Sequence, residues 1–111
     1  MNWIPLSDQH QLEELNKNSL HTPQIIFKHS TRCSISSVIK NRMERSKAPE
    51  GIPFHIVDLI KFRPISNQIA QDYHIEHQSP QILVIVNGKC IYDESHSGID
   101  MQDIIEHAKA A

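Results

Sequence analysis

The sequence predicts an α/β fold, a mixed central sheet covered by helices, and three observations predict it. Two apolar runs, residues 24–28 and 53–59, flank a segment with helical periodicity. That order makes a parallel strand–helix–strand unit with a right-handed crossover. A third apolar run, residues 81–86, leads into Asn87-Gly88, the preferred pair for a two-residue hairpin, so the last strand returns antiparallel to it. Finally, Ile65, Ile69 and Tyr73 recur at four-residue steps, as do Met101, Ile105 and their neighbours, which marks helices with one apolar stripe each. At 111 residues the chain has room for one core, so a single domain spanning residues 1–111 is expected.

Each element has its own signal. Ser7 and Asp8 are good N-caps for a first helix carrying Leu12 and Leu15 on one face. Gln24-Ile25-Ile26-Phe27-Lys28 is almost continuously apolar, which predicts a strand buried on both faces. After Thr31-Arg32-Cys33-Ser34, the residues Ile35, Ile39 and Met43, with Val38 beside them, predict a second helix with that stripe against the core. Ala48-Pro49-Glu50-Gly51 closes the unit. Phe54-His55-Ile56-Val57-Asp58 is the next strand. Arg63-Pro64 opens a third helix, because proline suits the first helical turn. Cys90-Ile91-Tyr92 is the returning strand of the hairpin. The last helix opens at Gly98-Ile99-Asp100 and is expected to bury Met101, Ile104, Ile105 and Ala108. With a short leading strand at Trp3 and Ile4, this is the thioredoxin order: a parallel βαβ unit, then a C-terminal β-hairpin, with helices on the sheet.

Composition excludes several classes of function. Eleven Lys and Arg stand against thirteen Asp and Glu, a net charge of -2, so nucleic acid is not an expected partner. The apolar runs are too short for a membrane helix, and the N-terminus lacks the charge-then-apolar pattern of a signal peptide. A cytoplasmic monomer is expected. Two cysteines, Cys33 and Cys90, do not make a disulfide scaffold. No His-x-x-x-His or paired-Cys spacing occurs among the eight histidines and two cysteines, so no metal site is expected.

Cys33 carries the chemistry. It stands where a strand ends and a helix begins, where free N–H groups and the helix dipole favour an anion. The thiolate is the reactive form of a cysteine. Arg32 and Lys28 are candidates to add positive potential, and the Ser34 and Ser36 hydroxyls to donate to the sulfur. Ser36 lies one helical turn on, on the same face. The pattern is Cys-x-x-Ser. A serine cannot resolve a mixed disulfide, so Cys33 would attack a disulfide, keep one partner and wait for an external thiol. The alternative is an inert small residue. Cys90, just past the hairpin turn, has nothing to activate it and reads as a small strand residue, the alternative being a distant resolving cysteine.

Two further features stand near this site in the expected topology. Ser79-Pro80 precedes the third apolar strand, where a cis proline would present the Ser79 backbone to a bound thiol; an ordinary trans proline is the alternative. Ser97-Gly98-Ile99-Asp100 enters the last helix, and its N–H groups could hold a carboxylate or serve as a plain capped start.

Residues 28–36, Lys28-His29-Ser30-Thr31-Arg32-Cys33-Ser34-Ile35-Ser36, together with Gln78-Ser79-Pro80-Gln81, Asn87-Gly88 and Ser95-His96, resemble the monothiol bacilliredoxins of the YtxJ type. The likeness runs from Trp3 to the final helix. It implies a thioredoxin-like fold in a bacterial cytosol. It implies no resident cofactor, and bacillithiol as the small-thiol co-substrate, with S-thiolated proteins as clients. It also implies that Cys33 is the reactive cysteine and Pro80 the cis proline, with Ser36 in the catalytic motif. On this reading Thr31, Arg32 and Ser34 support the sulfur, and Ser79, Pro80, Gly98 and Asp100 bind the substrate thiol. This chain departs from the usual Thr-Cys-Pro-Ile-Ser pattern: Arg32 stands between Thr31 and Cys33, and Ser34 replaces the proline.

Two readings of other classes compete. A non-catalytic peptide-binding or chaperone-like module would use the Cys33 groove without a reactive thiolate. An iron–sulfur carrier would be expected to show Cys-Gly-Phe-Ser rather than Cys-Ser-Ile-Ser.

Overall fold

A computed structural model describes residues 1–110. Its elements are β1 (Trp3–Pro5), α1 (Gln9–Asn18), β2 (Gln24–His29), α2 (Ser34–Arg45), β3 (Phe54–Asp58), α3 (Arg63–Asp72), β4 (Gln81–Val86), β5 (Lys89–Ser95) and α4 (Met101–Ala110). The strands form one sheet in the order β1-β3-β2-β4-β5. β1, β3 and β2 run parallel, and β4 and β5 pair antiparallel beyond them. This is the mixed sheet that the sequence predicts.

Local chemistry sets the boundaries. Asp8 caps α1 through a reciprocal capping box with Gln11, which satisfies donors that the first turn leaves free. Asn87 and Gly88 both have positive φ, 53° and 75°, as the tight hairpin turn requires. Pro5 sits in an edge strand, where its missing N–H costs nothing.

Strand alternation sorts the core into two layers. Ile25 and Phe27 face α2 and α4, with Ile39, Met43, Ile99 and Ile104. Ile26, on the other face, meets Leu12, Leu15, Ile65 and Ile69 of α1 and α3. β2 is central and every one of its residues is buried, which explains its unbroken apolar run. Met101, Ile104 and Ala108 of α4 are buried as expected, whereas Ile105 is half-buried at the margin.

The expected stripe of α2 needs correcting. Ile39 and Met43 are buried, but the third inward residue is Ser36, while Ile35 and Val38 are 52% and 59% exposed. A strict four-residue repeat advances about 40° per step on a helix of 3.6 residues per turn, so Ile35 rotates away from the face of Met43. Steps of three and four from Ser36 keep to the inward side. The two half-exposed aliphatics forgo roughly 1 kcal/mol of burial each.

Candidate active site at Cys33

The chain leaves β2 at His29 and turns at once. The Cys33 N–H donates to the Ser30 carbonyl at 3.2 Å, closing a turn over Thr31 and Arg32, both exposed. Cys33 is the N-cap of α2, with extended φ and ψ of −107° and 119°. Its carbonyl accepts the Ser37 N–H at 3.1 Å, the first bond of the helix. A serine or aspartate at an N-cap would spend its side chain on that turn. The Cys33 thiol makes no cap hydrogen bond and is partly exposed. Ser34 is exposed beside it.

Ser36 does not serve the sulfur directly. It is fully buried, and its Oγ accepts the Ser30 N–H at 3.1 Å and lies 2.7 Å from Nδ1 of His29. The hydroxyl keeps a proton and a second lone pair, so it can pair with the imidazole in either tautomer, which satisfies both groups. Burial lowers the His29 pKa and Lys40 lowers it further, against Asp58 and Glu44, which raise it. The net shift favours the neutral imidazole. The expected Ser36-to-sulfur contact is replaced by a tie from the first turn of α2 to the end of β2. The His29 ring stacks on Phe27 at 5.7 Å, and Phe27 stacks on Trp3 at 5.5 Å.

Lys28 also departs from expectation. Alternation places its side chain on the α3 face, opposite the face of Phe27 and α2. It is fully buried and donates from Nζ to the Ser66 carbonyl and to His77 Nδ1, both at 3.1 Å. Burial pushes its ammonium down to about 8. Its effect is to tie the loop before β4 to the sheet. That loop carries Ser79-Pro80, whose peptide bond is cis. Pro80 is buried, and its carbonyl accepts the His96 N–H at 3.0 Å. Ser79 Oγ is buried with no protein partner among the described residues.

The turn before α4 differs in detail from expectation. His96–Gly98 is a 3-10 turn and α4 starts at Met101, with the Asp100 carbonyl accepting the Ile104 N–H. Gly98 allows a close approach by Glu94. A Cβ there would lie 2.8 Å from the Glu94 carboxyl carbon, and that carboxylate accepts the Ser95 N–H at 2.9 Å. A carboxylate thus lies beside this turn already, and it is the protein's own. Arg42 of α2 donates to the Ser97 and Ile99 carbonyls, fastening the turn to the Cys33 helix.

Cys90 is half-buried on β5, its S–H directed to the Tyr92 carbonyl at 3.3 Å. Burial pushes its thiol up to about 11, which suits the small strand residue that the sequence indicates.

Sequence reasoning left His29, His77 and Arg42 without roles. A signal for His29 was present: it shares the parity of Ile25 and Phe27, and so the face on which α2 packs. No comparable signal marked His77 or Arg42, whose partners are backbone carbonyls and a lysine distant in sequence.

Comparison with known proteins settles the family. Residues 4–104 match the family model described as monothiol bacilliredoxin BrxC. The chain belongs to the monothiol bacilliredoxin family. Among solved structures, a protein described by its thioredoxin fold superposes with a TM-score of 0.78 at 24% identity, covering 96% of this chain and 92% of that one. Thioredoxin from Malassezia sympodialis gives 0.73 at 14% identity, with 98% and 90% covered. Thioredoxin from Trypanosoma brucei brucei gives 0.73 at 16%, with 97% and 92% covered. At these identities the likeness shows the fold, which is that of thioredoxin. Family and fold together support a thiol–disulfide redox function for this bacilliredoxin. Among the described residues no helix is long and apolar enough to cross a membrane.

Proposed function

We propose that Cys33 acts as the single nucleophile of a thiol–disulfide exchange that removes bacillithiol from protein mixed disulfides. The observation that carries this reading is the N-cap position of Cys33: partly exposed, free of a cap hydrogen bond, and followed at the third position by a serine already committed to His29.

In the first step the Cys33 thiolate attacks the bacillithiol sulfur of the mixed disulfide. A new S–S bond forms between Cys33 and bacillithiol, the client S–S bond breaks, and the client sulfur leaves as a thiolate that takes a proton from water. Ser36 offers no second sulfur, so the adduct persists. An external thiol then attacks it, forming a disulfide with bacillithiol and releasing the Cys33 thiolate. The free N–H groups at the start of α2 favour that anion in both steps. On this reading Thr31, Arg32 and Ser34 support the sulfur, and the Ser79-Pro80 backbone would shape the groove for the bound disulfide. On the same reading Gly98 and Asp100 would help to hold the small thiol. The reading brings with it a monomer acting in a bacterial cytoplasm, with no resident cofactor.

The test uses a client protein carrying one bacillithiol in disulfide linkage. Stoichiometric protein should release the client thiol and gain one bacillithiol on Cys33, and Cys33→Ser should do neither while remaining folded. Client release by a folded Cys33→Ser variant would refute the assignment.

A further inference from the structure

The outer flank of α2 has a composition that neither the fold nor the first chemical step requires. Ile35, Val38, Arg42 and Arg45 follow one another at steps of three and four, so they form one line along the helix that starts beside Cys33. The first two are the exposed aliphatics of this helix. Arg42 marks which flank this is, because its guanidinium reaches the Ser97 and Ile99 carbonyls of the turn before α4.

Charge is segregated in the same place. Residues 32–47 hold five of the eleven Lys and Arg and one of the thirteen Asp and Glu. The single acid, Glu44, is held on the other flank by Lys40 at 2.7 Å and by the Trp3 indole N–H at 2.6 Å. Arg32, Arg45 and Lys47 are all exposed. The rest of the chain carries twelve acids against six cations. A cationic helix on an acidic protein attracts acidic surfaces to one face and repels them from the others.

We propose that this flank docks the client protein. The inference rests on the exchange reading above and names the kind of client that it serves. The occupant is a client segment with an aliphatic side chain close to its thiolated cysteine and carboxylates farther along. The spacing follows from the helix. Arg42 and Arg45 lie nine and twelve residues beyond Cys33, about 14 and 18 Å along an axis that rises 1.5 Å per residue. An extended client covers that distance in about four to six residues. The aliphatic contact with Ile35 and Val38 holds the segment, and the arginine end selects its charge.

The test compares two synthetic peptides, each with one bacillithiol-linked cysteine and a leucine two positions away. One carries glutamates four to six positions from the cysteine on both sides; the other carries lysines there. Transfer of bacillithiol to Cys33 should be about five- to tenfold faster from the glutamate peptide at low ionic strength. The ratio should approach one at about 1 M salt, where screening acts within about 3 Å. The double variant Arg45→Glu, Lys47→Glu should erase or reverse the ratio. Val38→Ser should slow both peptides. Neither variant should alter the rate with hydroxyethyl disulfide, which is uncharged and too small to reach the stripe. Equal wild-type rates for the two peptides, with exchange intact, would overturn the docking stripe alone. Absence of exchange with every disulfide would overturn the function on which it rests. A concentration-dependent dimer that Val38→Ser dissolves would assign the stripe to a second copy of the chain and overturn the client proposal.

Discussion

Replacing Ser36 with alanine separates two roles that one hydroxyl could hold. If the Ser36 proton stabilised the Cys33 thiolate, Ser36→Ala would slow exchange and barely touch the fold. The observed contacts reverse that expectation. Ser36 Oγ accepts the Ser30 N–H at 3.1 Å and pairs with His29 Nδ1 at 2.7 Å, and all three residues are buried. Alanine leaves two buried polar groups without a partner, at about 1–3 kcal/mol each. The combined loss is about 2–6 kcal/mol, which for a domain of this size lowers Tm by roughly 8–24 °C. A domain near the middle of the usual range of about 5–15 kcal/mol still folds at 25 °C after such a loss. The first exchange step should stay within about threefold of wild type, because that is less than 1 kcal/mol of barrier. Calorimetry and stopped-flow exchange with an excess of disulfide measure the two quantities separately. A Tm within about 2 °C of wild type, combined with a tenfold slower first step, would refute the reasoning and return the hydroxyl to the sulfur.

Other predictions follow from the buried polar groups and from the motif. Burial lowers His55 from 6.5 to about 4; its Nε2 hydrogen-bonds Gln24 Oε1 at 2.8 Å. The folded pKa lies below the unfolded one, so this contribution is complete above pH 6.5 and is lost as pH falls toward about 4. Denaturant melts across that window should show a decline of roughly 3 kcal/mol at most that His55→Gln flattens; an unchanged slope in the variant would exclude His55 as its source. Lys28, lowered from 10.5 to about 8, makes folding less favourable at neutral pH, and that cost disappears as pH rises through 10.5. Lys28→Met should therefore leave stability unchanged or raise it by about 1–3 kcal/mol at pH 7, read as the urea midpoint; a loss of more than about 2 kcal/mol would show that the ties to Ser66 and His77 outweigh desolvation. Ser36→Cys supplies a second sulfur one turn from Cys33, and mass spectra should then show bacillithiol released without an added thiol. An adduct as long-lived as in wild type would contradict that.

The fold was legible because its signals are local and repeated. Apolar runs marked the strands, Asn87-Gly88 marked the hairpin, and the N-cap candidates Ser7 and Asp8 marked the first helix start. The position of Cys33 followed from the same patterns. What sequence periodicity did not resolve was which neighbour each polar group chooses. Lys28 is three residues closer to Cys33 than Ile25 along β2, yet it points to the opposite side of the sheet and serves the Ser79-Pro80 loop. Ser36 occupies the right helical face for the sulfur, but a histidine seven residues earlier takes its hydroxyl. Gly98 reads as an open turn until Glu94, four residues upstream, is seen against it. In each case the deciding contact crosses between elements, where distance along the chain carries no information. The α2 stripe failed for a geometric reason, since Ile35 and Val38 are apolar but lie outside the arc that the sheet covers.

The central claim is that Cys33 alone carries the exchange. The most direct measurement is the intact mass of the protein after incubation with oxidised bacillithiol and, separately, oxidised glutathione, with peptide mapping and a Cys33→Ser control. The account predicts one adduct per chain, on Cys33, formed in preference with bacillithiol and absent from the control. An adduct mapped to Cys90, or none from either disulfide on a folded protein, would contradict it.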